Sequence, residues 1–172
     1  MNLSVFFDII TLRVDNMKKK KVLFVSSMGG HLTQLLELKS IFNDYNYLLV
    51  TEKSDVTLNL KDKYNVVFFK YCNKKHFIKY FFINVYNAIH SVFLFFKFRP
   101  NVIVTTGANT CVPLCYMGFI FRKKVIYIES FAKQRGKTLS GKLVYPVATH
   151  FIVQWESMKE YYPKAIYMGG IY

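Results

Sequence analysis

Residues with chemical potential cluster after two short apolar runs. The first run, Lys21–Ser26 (KVLFVS), leads into Ser27-Met28-Gly29-Gly30-His31. Two adjacent glycines let the backbone turn tightly and present free N–H groups to a ligand. The start of a following helix adds about half a positive charge, so the loop suits phosphate, although a plain strand-to-helix turn uses the same glycines. GxGxxG and GxxxxGK[ST] are both absent, so the loop is neither a dinucleotide fingerprint nor a Walker loop. His31 falls in the first helical turn, where an imidazole either accepts a proton from an incoming hydroxyl or serves structure alone. The second run, Asn101–Thr105 (NVIVT), leads into Thr106-Gly107-Ala108-Asn109-Thr110. A third candidate, Glu129, is the only carboxylate between Asp62 and Glu156. It fits a base, a group orienting a sugar hydroxyl, or a structural partner of Lys133 or Arg135.

For these loops to cooperate, parallel strands must bring their ends to one edge. From Lys21 onward, short apolar runs alternate with longer segments, which predicts a doubly wound α/β parallel sheet. Strands are expected at Lys21–Ser26, Tyr45–Val50, Asn65–Tyr71, Asn101–Thr105, Lys124–Glu129, His150–Gln154 and Ala165–Met168. Helices are expected at His31–Phe42, His76–Phe98, Cys111–Phe121 and Leu139–Val147, with a short one at Glu156–Tyr161. In strand order 3-2-1-4-5 the first and fourth strands are neighbours at the switch point, so both glycine loops face one crevice.

The 172 residues suit one domain, and 52% hydrophobic composition with eight glycines and four prolines excludes a disordered or collagen-like chain. The 24 basic against 10 acidic residues give a net charge of +14, which favours polyanionic partners: nucleic acid, anionic lipid or phosphorylated small molecules. Cys72, Cys111 and Cys115 are too few for a disulfide framework, and no His or Cys cluster completes a metal ligand set. A reducing compartment and buried thiols are expected, with neither metal nor cofactor. Residues 1–16 read as an N-terminal extension ahead of Met17, with residues 17–172 as one domain; Asp8 interrupts the apolar run Leu3–Leu12, which argues against a signal peptide.

His76–Phe98 contains sixteen apolar residues among the 22 from Phe77 to Phe98. At 100° per residue its polar members His76, Lys79, Asn84, Asn87, His90, Ser91 and Lys97 occupy an arc of about 140°. The remaining face, including Phe77, Phe81, Phe82, Phe93 and Phe96, packs either on the sheet or into the headgroup zone of a bilayer. From Lys63 to Ile128 there are ten Lys or Arg and no Asp or Glu, a field suited to an anionic membrane.

SSMGGH, TTGANTCVP and YIES…R…GKLVY together resemble bacterial capsular and exopolysaccharide biosynthesis proteins of the PssD/CpsF kind. Those are relatives of the membrane subunit of the split eukaryotic dolichol-linked chitobiose synthase. The segment from Lys18 onward also looks like the N-terminal, acceptor-binding half of GT-B glycosyltransferases such as MurG. The resemblance implies a Rossmann-like GT-B half and a subunit of an inverting glycosyltransferase, inactive or nearly so without its partner. It would hold a polyprenyl-diphosphate-linked sugar at the cytoplasmic face of the plasma membrane, as a peripheral protein. A partner chain resembling the C-terminal GT-B half would bring the nucleotide sugar. The resemblance carries a base role to His31 and acceptor-diphosphate contacts to Gly29, Gly30 and Gly107; Glu129 is expected as a second catalytic residue, and Ser27, Met28, Thr106, Ala108, Asn109 and Arg135 are expected to complete the acceptor site. Membrane contact falls to His76–Phe98 or to the partner. The runner-up is a basic nucleic-acid-binding module, which requires exposed aromatics interleaved with Lys and Arg on a strand surface. The run VVFFKY reads instead as a buried strand.

Overall fold

Among the described residues, seven strands assemble into one all-parallel sheet of order β3-β2-β1-β4-β5-β6-β7 in the computed structural model. The structure describes residue 6 and residues 19–71 and 77–172. The strands are β1 (Lys21–Ser26), β2 (Asn46–Glu52), β3 (Val66–Phe69), β4 (Val102–Gly107), β5 (Lys124–Ile128), β6 (His150–Val153) and β7 (Ile166–Tyr167). From residue 19 onward the α-helices among the described residues are α1 (Gly30–Leu36), α2 (Phe77–Phe98), α3 (Val112–Ile120) and α4 (Leu139–Val144). The sheet is Rossmann-like, as the alternation of apolar runs predicts.

Because strand side chains alternate, β1 feeds two cores. Leu23 and Val25 join the layer under α2, α3 and α4, with Ile103, Leu94 and Phe95. Val22 and Phe24 join the layer under α1, with Leu35 and Phe42; the Phe24 and Phe42 ring centroids lie 4.3 Å apart. Phe6, the described residue of the 1–16 extension, is fully buried in this second layer. The rest of that extension, and Cys72, lie outside the described residues. Cys111 and Cys115 are buried free thiols in the first layer.

Two expected elements come out differently. The helix expected over His31–Phe42 ends at Leu36, and a 3-10 segment, Lys39–Asp44, follows. The tighter turn seats Ile41 and Phe42 beside Leu38 in the core. β3 is four residues long and of its members only Phe69 is buried, because it is the edge of the sheet rather than an interior strand. The strand platform needed by a nucleic-acid module is covered: the central strands β1 and β4 are buried almost throughout.

Candidate functional site

β1 pairs with β2 on one side and β4 on the other, so its carboxyl end is the switch point, where connections leave in opposite directions and open a crevice. The loop leaving β1 turns at Gly29, whose φ of +85° is a conformation side chains rarely adopt. Gly30 has no such constraint, and a Cβ there would meet nothing within 4 Å. The loop leaving β4 turns at Gly107, with φ +106° and a would-be Cβ 2.7 Å from the Tyr127 hydroxyl. Gly107 therefore serves close packing beneath the crevice, while the β1 loop borders it.

The resulting cleft, about 490 Å³, is lined by Ser27, Met28 and His31 from the first loop and helix, Glu52 from β2, and Ala108 and Asn109 from the second loop. Tyr71, Tyr80, Asn84, Leu139 and Ser140 complete it. Its size is that of a small-molecule site. The two loops are tied reciprocally: Thr106 Oγ1 donates to the His31 carbonyl at 2.7 Å, and His31 Nδ1 lies 2.9 Å from the Thr106 carbonyl oxygen. A carbonyl can only accept, so Nδ1 carries a proton, and in the neutral form of the ring the lone pair falls on Nε2. An imidazole held in that tautomer can take a proton from a bound hydroxyl.

Glu52 adds a second ionisable group. Thr110 Oγ1 donates to Glu52 Oε1 at 2.8 Å, Ser27 Oγ lies 3.5 Å from the same oxygen, and the two hydroxyls are 2.9 Å apart. Burial raises the carboxyl above its ordinary range, partly offset by hydrogen bonds from Thr110, the Met28 backbone and Ser27, and by the charge of His31. This residue escapes a search for isolated carboxylates. The available signal is its position immediately after a strand's apolar run, at the sheet's carboxyl edge.

Of the residues expected here, Ser27, Met28, His31, Ala108 and Asn109 line the cleft. Gly29 and Gly30 shape its rim, whereas Thr106 and Gly107 are buried supports. Glu129 lies apart from the lining. It accepts from the Ser130 amide at 2.9 Å, from Thr138 Oγ1 at 3.0 Å and from the Tyr162 hydroxyl at 2.9 Å, and is 1% exposed. That is a scaffold pin for the segment between β5 and α4. Arg135 lies exposed in the same segment.

α2 is built inside out. Asn87 and Ser91 are 5% and 0% exposed, while Phe82 and Phe93 are 65% and 70% exposed. The Asn87 side chain donates to the Lys70 carbonyl at 2.9 Å and accepts from the Lys70 amide at 3.1 Å, satisfying backbone groups just beyond β3; Ser91 Oγ donates to the Asn87 carbonyl. Polar residues thus anchor the helix, and the apolar face turns outward. Of the two alternatives for that face, packing on the sheet is not what forms. Phe81 and Phe96 share the exposed face; Phe77 starts the helix, its side chain outside the described residues. Phe119, Ile120 and Phe121 extend the surface, and Phe96 packs edge-on to Phe121 at 5.2 Å. Lys97, Arg99 and Arg122 are exposed beside it.

Residues 72–171 match the family described as Alg14-like oligosaccharide biosynthesis proteins. The chain belongs to that family. One relative, the human UDP-N-acetylglucosamine transferase subunit ALG14, is 28% identical over 177 residues, covering 87% of this chain and 82% of its own length. The Candida albicans subunit of the same name is 40% identical over 91 residues, 49% of this chain and 42% of that one. Among solved structures, Acinetobacter baumannii MurG superposes with a TM-score of 0.64 at 10% identity, over 80% of this chain and 42% of that one. UDP-N-acetylglucosamine 2-epimerase from Rickettsia bellii gives 0.68 at 12% identity, over 89% and 45%. The chain spans less than half the length of either solved structure, and this Alg14-like protein shares their fold over that part.

Proposed function

We propose that this Alg14-like protein is the acceptor-binding subunit of a two-chain inverting glycosyltransferase. Its acceptor is a polyprenyl-diphosphate-linked sugar, and a separate chain resembling the C-terminal GT-B half brings the nucleotide sugar. Residues 17–172 form the acceptor-side domain, with Phe6 of the extension packed into it. The setting, taken from the loop resemblance, is capsule or exopolysaccharide assembly, with the protein peripheral at the cytoplasmic face of the plasma membrane. The observation that carries the reading is a polar cleft holding an oriented His31 directly beside an outward-facing apolar helix, with Tyr80 and Asn84 of that helix in the cleft wall. A soluble metabolite needs no such helix; a lipid-linked sugar needs both.

In the reaction, a hydroxyl of the acceptor sugar attacks the anomeric carbon of the donor. The new C–O bond forms as the bond to the nucleotide diphosphate breaks, and the hydroxyl proton passes to His31 Nε2. Glu52 lies on the same wall, and its charge favours the imidazolium that results. The partner stabilises the departing diphosphate.

Calorimetry of the isolated chain with UDP-N-acetylglucosamine is expected to give no binding, while the reconstituted pair transfers sugar to a lipid diphosphate acceptor. Micromolar nucleotide-sugar binding by this chain alone overturns the division of labour.

A further inference from the structure

A second cavity adjoins the cleft and has opposite chemistry. It is a groove of about 470 Å³ between α2, α3 and α4, walled by Phe81, Val85, Ala88, Val112, Pro113 and Leu143. Tyr80, Asn84, Asn109 and Leu139 line both cavities, so they form a partition with a polar side and an apolar side. The Asn109 side-chain amide hydrogen bonds to the Tyr80 hydroxyl, which closes the partition between the helix and the β4 loop. Leu139 and Leu143 are exposed, an apolar edge that a ligand chain would cover.

We propose that this groove takes the first isoprene units of the polyprenyl chain whose diphosphate and sugar occupy the cleft. The inference rests on the acceptor reading above and deepens it. A ligand whose head lies by Ser27 and His31 and whose tail passes over Tyr80 and Leu139 meets the groove next, because those residues line both cavities. Phe81 and Val85 of α2 belong both to the groove wall and to the exposed apolar face, so the chain passes from protein to bilayer while staying apolar. Bulk bilayer lipids carry a phosphate but no sugar to occupy the cleft beside His31.

The test uses the chain with its partner in anionic vesicles and a photoreactive probe, a polyprenyl diphosphate sugar with a benzophenone on an isoprene unit near the diphosphate. Crosslinks to Val85, Ala88, Val112 or Leu143 are expected. Crosslinks confined to Phe82 and Phe93 overturn the groove. Transfer by the pair is measured in parallel, which separates the two readings. Groove crosslinks without transfer leave the groove and overturn the enzymatic role, whereas transfer without groove crosslinks does the reverse. Ala88→Phe, which fills the groove from an already partly exposed helix position, is expected to raise the KM ratio of long-chain to short-chain acceptor about tenfold, the loss of roughly two buried methylenes. An unchanged ratio in a folded variant overturns the proposal, as does loss of partner co-purification, which assigns the groove to the subunit interface.

Discussion

The carboxyl ends of β2 and β5 each carry a buried glutamate, and the two are used in opposite ways. Glu129 after β5 is surrounded by donors that belong to its own neighbourhood: Ser130, Thr138 and Tyr162. Gly141 lies so close that a Cβ there would collide with the carboxylate, with Thr138 Oγ1 and with the Tyr162 hydroxyl. Nothing is left for a ligand. Glu52 at the end of β2 accepts from Thr110, Ser27 and the Met28 backbone, yet it stands in the cleft wall with its carboxylate toward open space. A buried carboxylate with saturated partners stabilises a fold, whereas one with spare capacity facing a cavity costs stability and remains available to a ligand or a proton.

The largest effect expected from this contrast is on the scaffold side. Glu129→Ala leaves two hydroxyls and an amide without their acceptor in a tightly packed region and should cost about 3 kcal/mol of stability, read by thermal or urea denaturation. The specific transfer activity of the fraction that remains folded should stay near wild type. A stable Glu129→Ala protein that has lost turnover would reverse the roles of the two glutamates.

On the cleft side, His31→Ala should lower kcat of the reconstituted pair about a hundredfold, the range of a positioned general base, with acceptor KM nearly unchanged. Its carbonyl still accepts from Thr106, so the loop tie survives. An unchanged kcat would confine His31 to joining the two loops.

How much of this contrast sequence could show follows from what each feature depends on. The sheet order, the glycine loops and the placement of His31 depend on local runs and breaks, and all were legible. Glu129 drew attention through isolation in sequence, which says nothing of its donors; one of them, Tyr162, is 33 residues away. Glu52 is not legible in sequence, because its meaning depends on Thr110, 58 residues away on another loop. The α2 periodicity was legible, but not which face turns inward. That is decided by Asn87 pairing with the backbone at Lys70 beyond an edge strand, a tertiary event that periodicity cannot carry.

Glu52→Gln should have a smaller effect of mixed sign. Turnover falls about tenfold through loss of the charge that favours imidazolium at His31. Stability moves the other way. Burial raises the Glu52 carboxyl in the native state, so between the unfolded and folded values the native protein holds more protons, and wild-type stability falls as pH rises through that window. Glutamine has no charge to desolvate. The variant should therefore melt above wild type at pH 7 and converge with it near pH 4. A lower melting temperature at pH 7 would place Glu52 with Glu129 as a scaffold residue.

The smallest effect, and the sharpest on the rim, belongs to Gly30. Gly29 needs its positive φ, but Gly30 opens α1 with ordinary backbone geometry and open space where a Cβ would go. Gly30→Ala should therefore leave stability within about 0.5 kcal/mol or raise it slightly, because alanine narrows the unfolded ensemble. The new methyl enters open space beside the loop and meets no protein atom. If the acceptor diphosphate lies against this backbone, its KM should rise about threefold with kcat retained, a cost of under 1 kcal/mol. If acceptor KM is unchanged while the protein is stable, the head group sits deeper, toward Ser27 and Asn109, and the loop glycines serve the turn alone.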